Sequence, residues 1–102
     1  MGRGGYIPEA LDYIADDIPI VSHGLTMSFG DLDPFPSNYI TELARFLTRF
    51  KAPWHSDHLC FGNADGRRVH ELLPLPLSRA AALHAAERIR EARELLQVPL
   101  AI

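Results

Sequence analysis

The chain has 102 residues, 47% of them hydrophobic and 23% charged, and a net charge of −3. That composition describes one soluble globular domain with a core of adequate size. No basic run favours nucleic acid as a partner, no apolar stretch approaches the ~20 residues of a membrane span, and the single cysteine, Cys60, excludes an internal disulfide and fits a reducing, cytoplasmic setting.

Residues 1–6 read as a glycine-rich lead-in without the apolar centre of a signal peptide. Pro8 suits the first turn of a short helix, with Leu11, Ile14 and Ala15 on one face. The run Ile18–Ser22 is apolar on both parities, which predicts a strand covered on both faces. A turn-rich loop spans residues 24–37, with Ser37 or Asn38 as the cap of a second helix whose buried stripe is Ile40, Leu43, Ala44, Leu47 and Phe50. A second strand is expected from Pro53.

After Phe61, the sequence Gly62-Asn63-Ala64-Asp65-Gly66 has turn chemistry, and residues 69–73 read as a returning arm, so a hairpin insert is expected. Ser78 is the expected cap of the longest helix, roughly 79–96. Leu83, Ala86, Ile89, Arg93 and Leu96 mark its inward side, with Arg93 at the rim, and Arg79, Glu87, Arg88, Glu91 and Glu94 a solvated face. Pro99 opens a last strand. The order α-β-α-β-hairpin-α-β predicts a parallel sheet with right-handed crossovers.

Three segments share one design, a proline followed by a short apolar run: Pro19 to Gly24, Pro53 to Leu59, and Pro99 to Ile102. Two of them reach a histidine four or five residues after the proline, His23 and His58. These lie 35 residues apart, about one βαβ unit. Equivalent strand ends in a parallel sheet share its working edge, and adjacent strands lie about 4.8 Å apart, so the two imidazoles could share a metal ion. Imidazole suits zinc, iron, nickel or copper, and at least one further ligand, a carboxylate, is needed. The same register places it just beyond Ile102.

Asp57 has the opposite parity to His58, which suits a supporting role rather than ligation, and Ser22 and Ser56 could orient the imidazoles. His55, His70 and His84 read as structural or solvated. Cys60 reads as a small buried residue with no base to activate it. Asp31, Asp33, Asp57 and Asp65 lack metal-loop spacing, and no phosphate-binding glycine loop is present.

Three blocks taken together carry a resemblance: Pro19-Ile20-Val21-Ser22-His23-Gly24-Leu25-Thr26-Met27-Ser28-Phe29-Gly30, Ser56-Asp57-His58-Leu59, and His70-Glu71-Leu72-Leu73-Pro74-Leu75-Pro76-Leu77. In this order they resemble the multinuclear non-haem iron-dependent oxidases typified by the methanobactin biosynthesis oxidase. The resemblance implies a xylose isomerase-like TIM barrel with two or three iron ions at its C-terminal mouth. It implies oxidation by dioxygen of cysteine, or other residues, in ribosomally made precursor peptides, with a partner protein that grips the leader. His23 and His58 match the family's first two histidine ligands, and the family's next strand ends in a Glu-Asn pair whose Glu is a ligand.

The family's first strand and every ligand from the fourth strand onward have no counterpart here, and a full barrel needs about 250 residues. Residues 1–102 therefore read as a single partial TIM-barrel domain, truncated at both ends and inactive alone. Two other readings stay open. One is a divalent-metal isomerase or hydrolase of the same fold, using zinc, manganese or magnesium; the other is a non-catalytic remnant or interaction module.

Overall fold

The computed structural model describes residues 6–64 and 67–102. Residues 1–5 of the expected lead-in, the Asp65-Gly66 part of the expected turn and the side chain of His70 lie outside the described residues. The elements follow the expected order: helix α1 (Tyr6–Ala15), strand β1 (Ser22–His23), helix α2 (Ser37–Arg49), strand β2 (His55–Ser56), strands β3 (Phe61–Ala64) and β4 (Arg67–Leu73), helix α3 (Arg79–Leu96) and strand β5 (Leu100–Ala101). β1, β2 and β5 form a parallel sheet in the order β1-β2-β5, and β3 and β4 pair as an antiparallel hairpin. The chain is thus α/β, with a three-stranded parallel sheet.

α2 forms where an apolar residue recurs every three or four positions, and it buries Ile40, Leu43 and Leu47, with Phe50 at its end. Its expected cap is corrected. Pro36 occupies the N-cap position and accepts the Ile40 N–H at 3.1 Å, so Ser37 and Asn38 already lie within the helix. At α3 the expected cap holds: Ser78 Oγ accepts the Ala81 N–H at 3.1 Å. Gln97, in the left-handed region at φ 59°, ends that helix.

The face that α3 buries is a second correction. Ala85, Arg88, Ala92 and Leu96 point inward and Ile89 packs against the core, whereas Leu83 and Ala86 are exposed. Alanines at 85 and 92 keep the inward row thin, and the long stem of Arg88 reaches through it to polar groups beyond. Arg88 is therefore not on the solvated face but 6% exposed.

Its guanidinium closes the loop between β1 and α2. Nη1 donates to the Asp33 C=O at 2.6 Å and Nη2 to the C=O groups of Met27 and Ser28, at 3.2 and 3.4 Å. The same group lies 4.0 Å over the Phe35 ring. One turn earlier, His84 Nε2 donates to the Asp31 C=O at 2.6 Å. The loop so held is part of the core: Met27 and Phe29 are buried against Ile40, Leu43, Leu47, Ala92 and Leu96.

The sheet has one covered face, which corrects the expectation of two. The β1 strand is shorter than the Ile18–Ser22 run and begins later, and Ile18 and Val21 are exposed. Ser22, His55 and Leu100 form the row facing the helices; His23, Ser56 and Ala101 form the row on the open side. The hairpin root is tied to the β1–α2 loop by the buried Asp31. Its carboxylate accepts the N–H groups of Gly62 at 2.7 Å and Asn63 at 3.1 Å, and the Asn63 side-chain amide at 3.0 Å. Gly62 to Ala64, read as turn from the sequence, are thereby strand. Among the described residues no helix is long and apolar enough to cross a membrane.

Replacing Arg88 by Met keeps the stem but leaves buried carbonyls without a donor. Arg88→Met is expected to lose about 3 kcal/mol or more in urea unfolding. Exposed Glu87→Ala should stay within about 0.5 kcal/mol; equal effects of the two would refute the clamp.

Candidate functional site

The parallel register sets the site. Ser22 pairs with His55 and His23 with Ser56, and the Gly24 N–H continues the ladder by donating to the Ser56 C=O at 2.8 Å. On the far side, Asp57 N–H donates to the Ala101 C=O at 3.1 Å. His23 and His58 consequently emerge at the same end of neighbouring, co-directional strands. Their ring centroids are 4.7 Å apart and their planes cross at 64°.

Hydrogen bonding at the inner nitrogens fixes what the outer ones can do. His58 Nδ1 lies 3.2 Å from the Gly24 C=O, and a carbonyl only accepts, so Nδ1 carries the proton. His23 Nδ1 lies 2.8 Å from Ser56 Oγ. Where the Ser56 hydroxyl donates to the Ser22 C=O at 3.3 Å, it accepts from His23, and there too Nδ1 carries the proton. With Nδ1 engaged by the protein, Nε2 is the nitrogen through which each imidazole could ligate a metal. The donor set therefore fits a metal ion. Among the described residues no group of three or more His, Cys, Asp or Glu side chains is placed to hold one.

Behind them stands a buried polar layer. Asp57 is 2% exposed; its Oδ1 accepts the His58 N–H at 2.7 Å and its Oδ2 the Met27 N–H at 3.2 Å. His55, 1% exposed, places Nδ1 at 2.6 Å from Ser22 Oγ and Nε2 at 3.7 Å from Asp57 Oδ2, beyond hydrogen-bond length but within electrostatic reach. Burial pushes the Asp57 carboxyl up, but the His55 side chain and the N–H groups of His58 and Met27 outweigh it and hold it below the usual carboxylate range. The carboxylate is spent on the protein itself.

The five residues singled out from the sequence thus fall into two layers. His23, His58 and Ser56 gather at the open rim, while Ser22 is half-buried beneath it and Asp57 is buried behind it. His55 faces the helix layer, as its parity requires. Cys60 is buried, its Sγ 3.8 Å from Ser28 Oγ, and burial raises its thiol, which disfavours thiolate chemistry. Gly24, Asp31, His84 and Arg88 were not recognised as site-builders. For His84 and Arg88 a signal existed, because positions 84, 88, 92 and 96 repeat every four residues along one helix row.

Comparison with known proteins gives a match over residues 1–102 to the family described as RiPP precursor modification enzyme MbnB/TglH/ChrH. Among curated relatives, a UPF0276 protein of Anaeromyxobacter sp. (strain Fw109-5) is 38% identical over 96 residues, covering 94% of this chain and 34% of the relative. A UPF0276 protein of Neisseria meningitidis serogroup C is 33% identical over 99 residues, covering 97% and 35%. One of Acinetobacter baylyi is 33% identical over 102 residues, covering 100% and 35%. The chain spans about a third of the length of these relatives.

The depressed Asp57 carboxyl has a consequence for stability. Its contribution is fully present above the unfolded-state value, about 3.9, and is lost as the pH falls through the lower folded-state value. In the metal-free chain, the difference in urea midpoint between wild type and Asp57→Asn should be widest above about pH 4 and shrink below it. A difference independent of pH would contradict the assignment.

Proposed function

The chain belongs to the RiPP precursor modification enzyme MbnB/TglH/ChrH family, and from this we propose that it supplies two imidazole ligands, His23 and His58, to a multinuclear non-haem iron centre. The enzyme so formed oxidises residues such as cysteine in ribosomally made precursor peptides. One observation carries the reading: two rings 4.7 Å apart at the ends of adjacent parallel strands, each with Nδ1 engaged by the protein.

The three parallel strands are read as part of a TIM barrel, residues 1–102 forming one partial domain of it. In that fold catalytic groups stand where strands end and loops begin, as these histidines do. The span of about a third of the relatives' length supports the reading. Bound iron would supply the redox chemistry with dioxygen and a coordination position for a substrate thiolate. Ser56 and the Gly24 carbonyl hold the rings, and Asp57 fixes the backbone at His58 and Met27. A multinuclear centre needs further ligands, at least one carboxylate among them. A precursor peptide is the substrate, a leader-binding protein the partner, and the reducing cytoplasm the setting. Zinc or manganese with an isomerase or hydrolase activity is the competing outcome.

The test is metal content in the full-length protein that contains this segment. Changes to groups that merely orient a ligand cost about 10–100-fold in affinity, so His23→Ala and His58→Ala should each weaken iron binding at least that much. The readout is iron per polypeptide by mass spectrometry after gel filtration. Unchanged iron in either variant contradicts the ligand assignment, and manganese or zinc in place of iron contradicts the oxidase.

A further inference from the structure

Both polar groups of the Gly24 backbone are committed at the strand joint. Its N–H donates to the Ser56 C=O at 2.8 Å and its C=O accepts from His58 Nδ1 at 3.2 Å. Its α-carbon lies against the buried layer. A Cβ built there would stand 2.5 Å from Asp57 Oδ2, 2.9 Å from the Tyr39 hydroxyl oxygen and 3.1 Å from His55 Cε1. The Asp57 carboxylate cannot swing aside cheaply. It is short and buried, and it already accepts N–H groups of Met27 and His58 at 3.2 and 2.7 Å. Glycine is thus needed here for close approach rather than for a turn.

We infer that Gly24 is a positioning residue: its missing side chain lets the β1 end press against Asp57, and that seats the Gly24 carbonyl where it sets the tautomer and direction of the His58 ring. The inference rests on the reading of His58 as a ligand through Nε2, and it assigns the neighbouring glycine a function that its backbone performs. Any larger residue pushes the carbonyl away, releasing the Nδ1 proton and letting Nε2 take it. His23 serves as an internal control, because its Nδ1 is held by the Ser56 hydroxyl instead.

The experiment compares wild type with Gly24→Ala by long-range nitrogen–proton correlation of the labelled histidines in the metal-free 102-residue chain, and by cobalt(II) titration of the full-length protein that contains this segment. In wild type, His58 should carry its proton on Nδ1. In Gly24→Ala, His58 should become a tautomer mixture while His23 stays unchanged, and cobalt(II) affinity should fall about 10–100-fold. Adding Asp57→Ala removes the tightest of the three contacts, so Gly24→Ala should cost less in that background than alone. An unchanged His58 tautomer with unchanged affinity overturns the inference, as does wild-type His58 protonated on Nε2. Should Gly24→Ala fail to fold, the wild-type tautomer decides alone. Wild type that binds no cobalt(II) counts against the two-histidine ligand reading, while the tautomer comparison still decides the role of Gly24.

Discussion

The in-register parallel pairing of β1 with β2 is the constraint from which the rest of the site follows. Side chains alternate between faces along a strand, so a slip of one residue would send His23 toward the helices and Ser22 to the open side. The observed register, Ser22 with His55 and His23 with Ser56, does two things at once. It delivers the buried imidazole to the helix layer, where Ser22 and Asp57 receive it. It also delivers the other two to one rim, where Ser56 and the Gly24 carbonyl engage their inner nitrogens.

Strands of two residues do not hold a register alone. The reinforcement comes from what flanks them: the loop after β1 folds back into the core through Met27 and Phe29, and α3 grips it from behind with Arg88 and His84. The hydrogen bonds of the Arg88 guanidinium go to carbonyl oxygens and its face to an aromatic ring, while the carboxylates of Asp31, Glu91 and Asp33 act on it electrostatically. The arrangement satisfies several carbonyls that a loop would otherwise leave unpaired. On the other side, Asp31 uses its carboxylate to gather the hairpin root. The two aspartates play parallel parts: Asp57 binds the β1 end to β2, and Asp31 binds the loop to β3.

Much of the fold was legible because it is local. Prolines, the Ser78 cap and the apolar stripe of α2 report on chain a few residues away, and they gave the element order and the bounds of α3 correctly. The gathering of His23 and His58 was legible for a related reason: each follows its proline by a short offset, four and five residues, although the register pairs His23 with Ser56 and leaves His58 two residues further along. The family, too, was visible in three short blocks. What stayed hidden depends on contacts distant in sequence. The burial of Arg88 is decided by carbonyls at positions 27, 28 and 33, and an alanine-rich helix offers several faces of similar polarity until its neighbours are known. Likewise the tightness around Gly24 comes from Asp57, His55 and Tyr39, which no local pattern announces.

The central claim is that the rings of His23 and His58 jointly bind one metal through Nε2. X-ray absorption at the iron edge of the iron(II)-loaded protein tests it most directly, because imidazole rings bound to a metal scatter characteristically from their outer atoms. The account predicts nitrogen ligation with outer-ring scattering from at least two imidazoles on one iron. A spectrum fitted by oxygen ligands alone, without imidazole scattering, would contradict it.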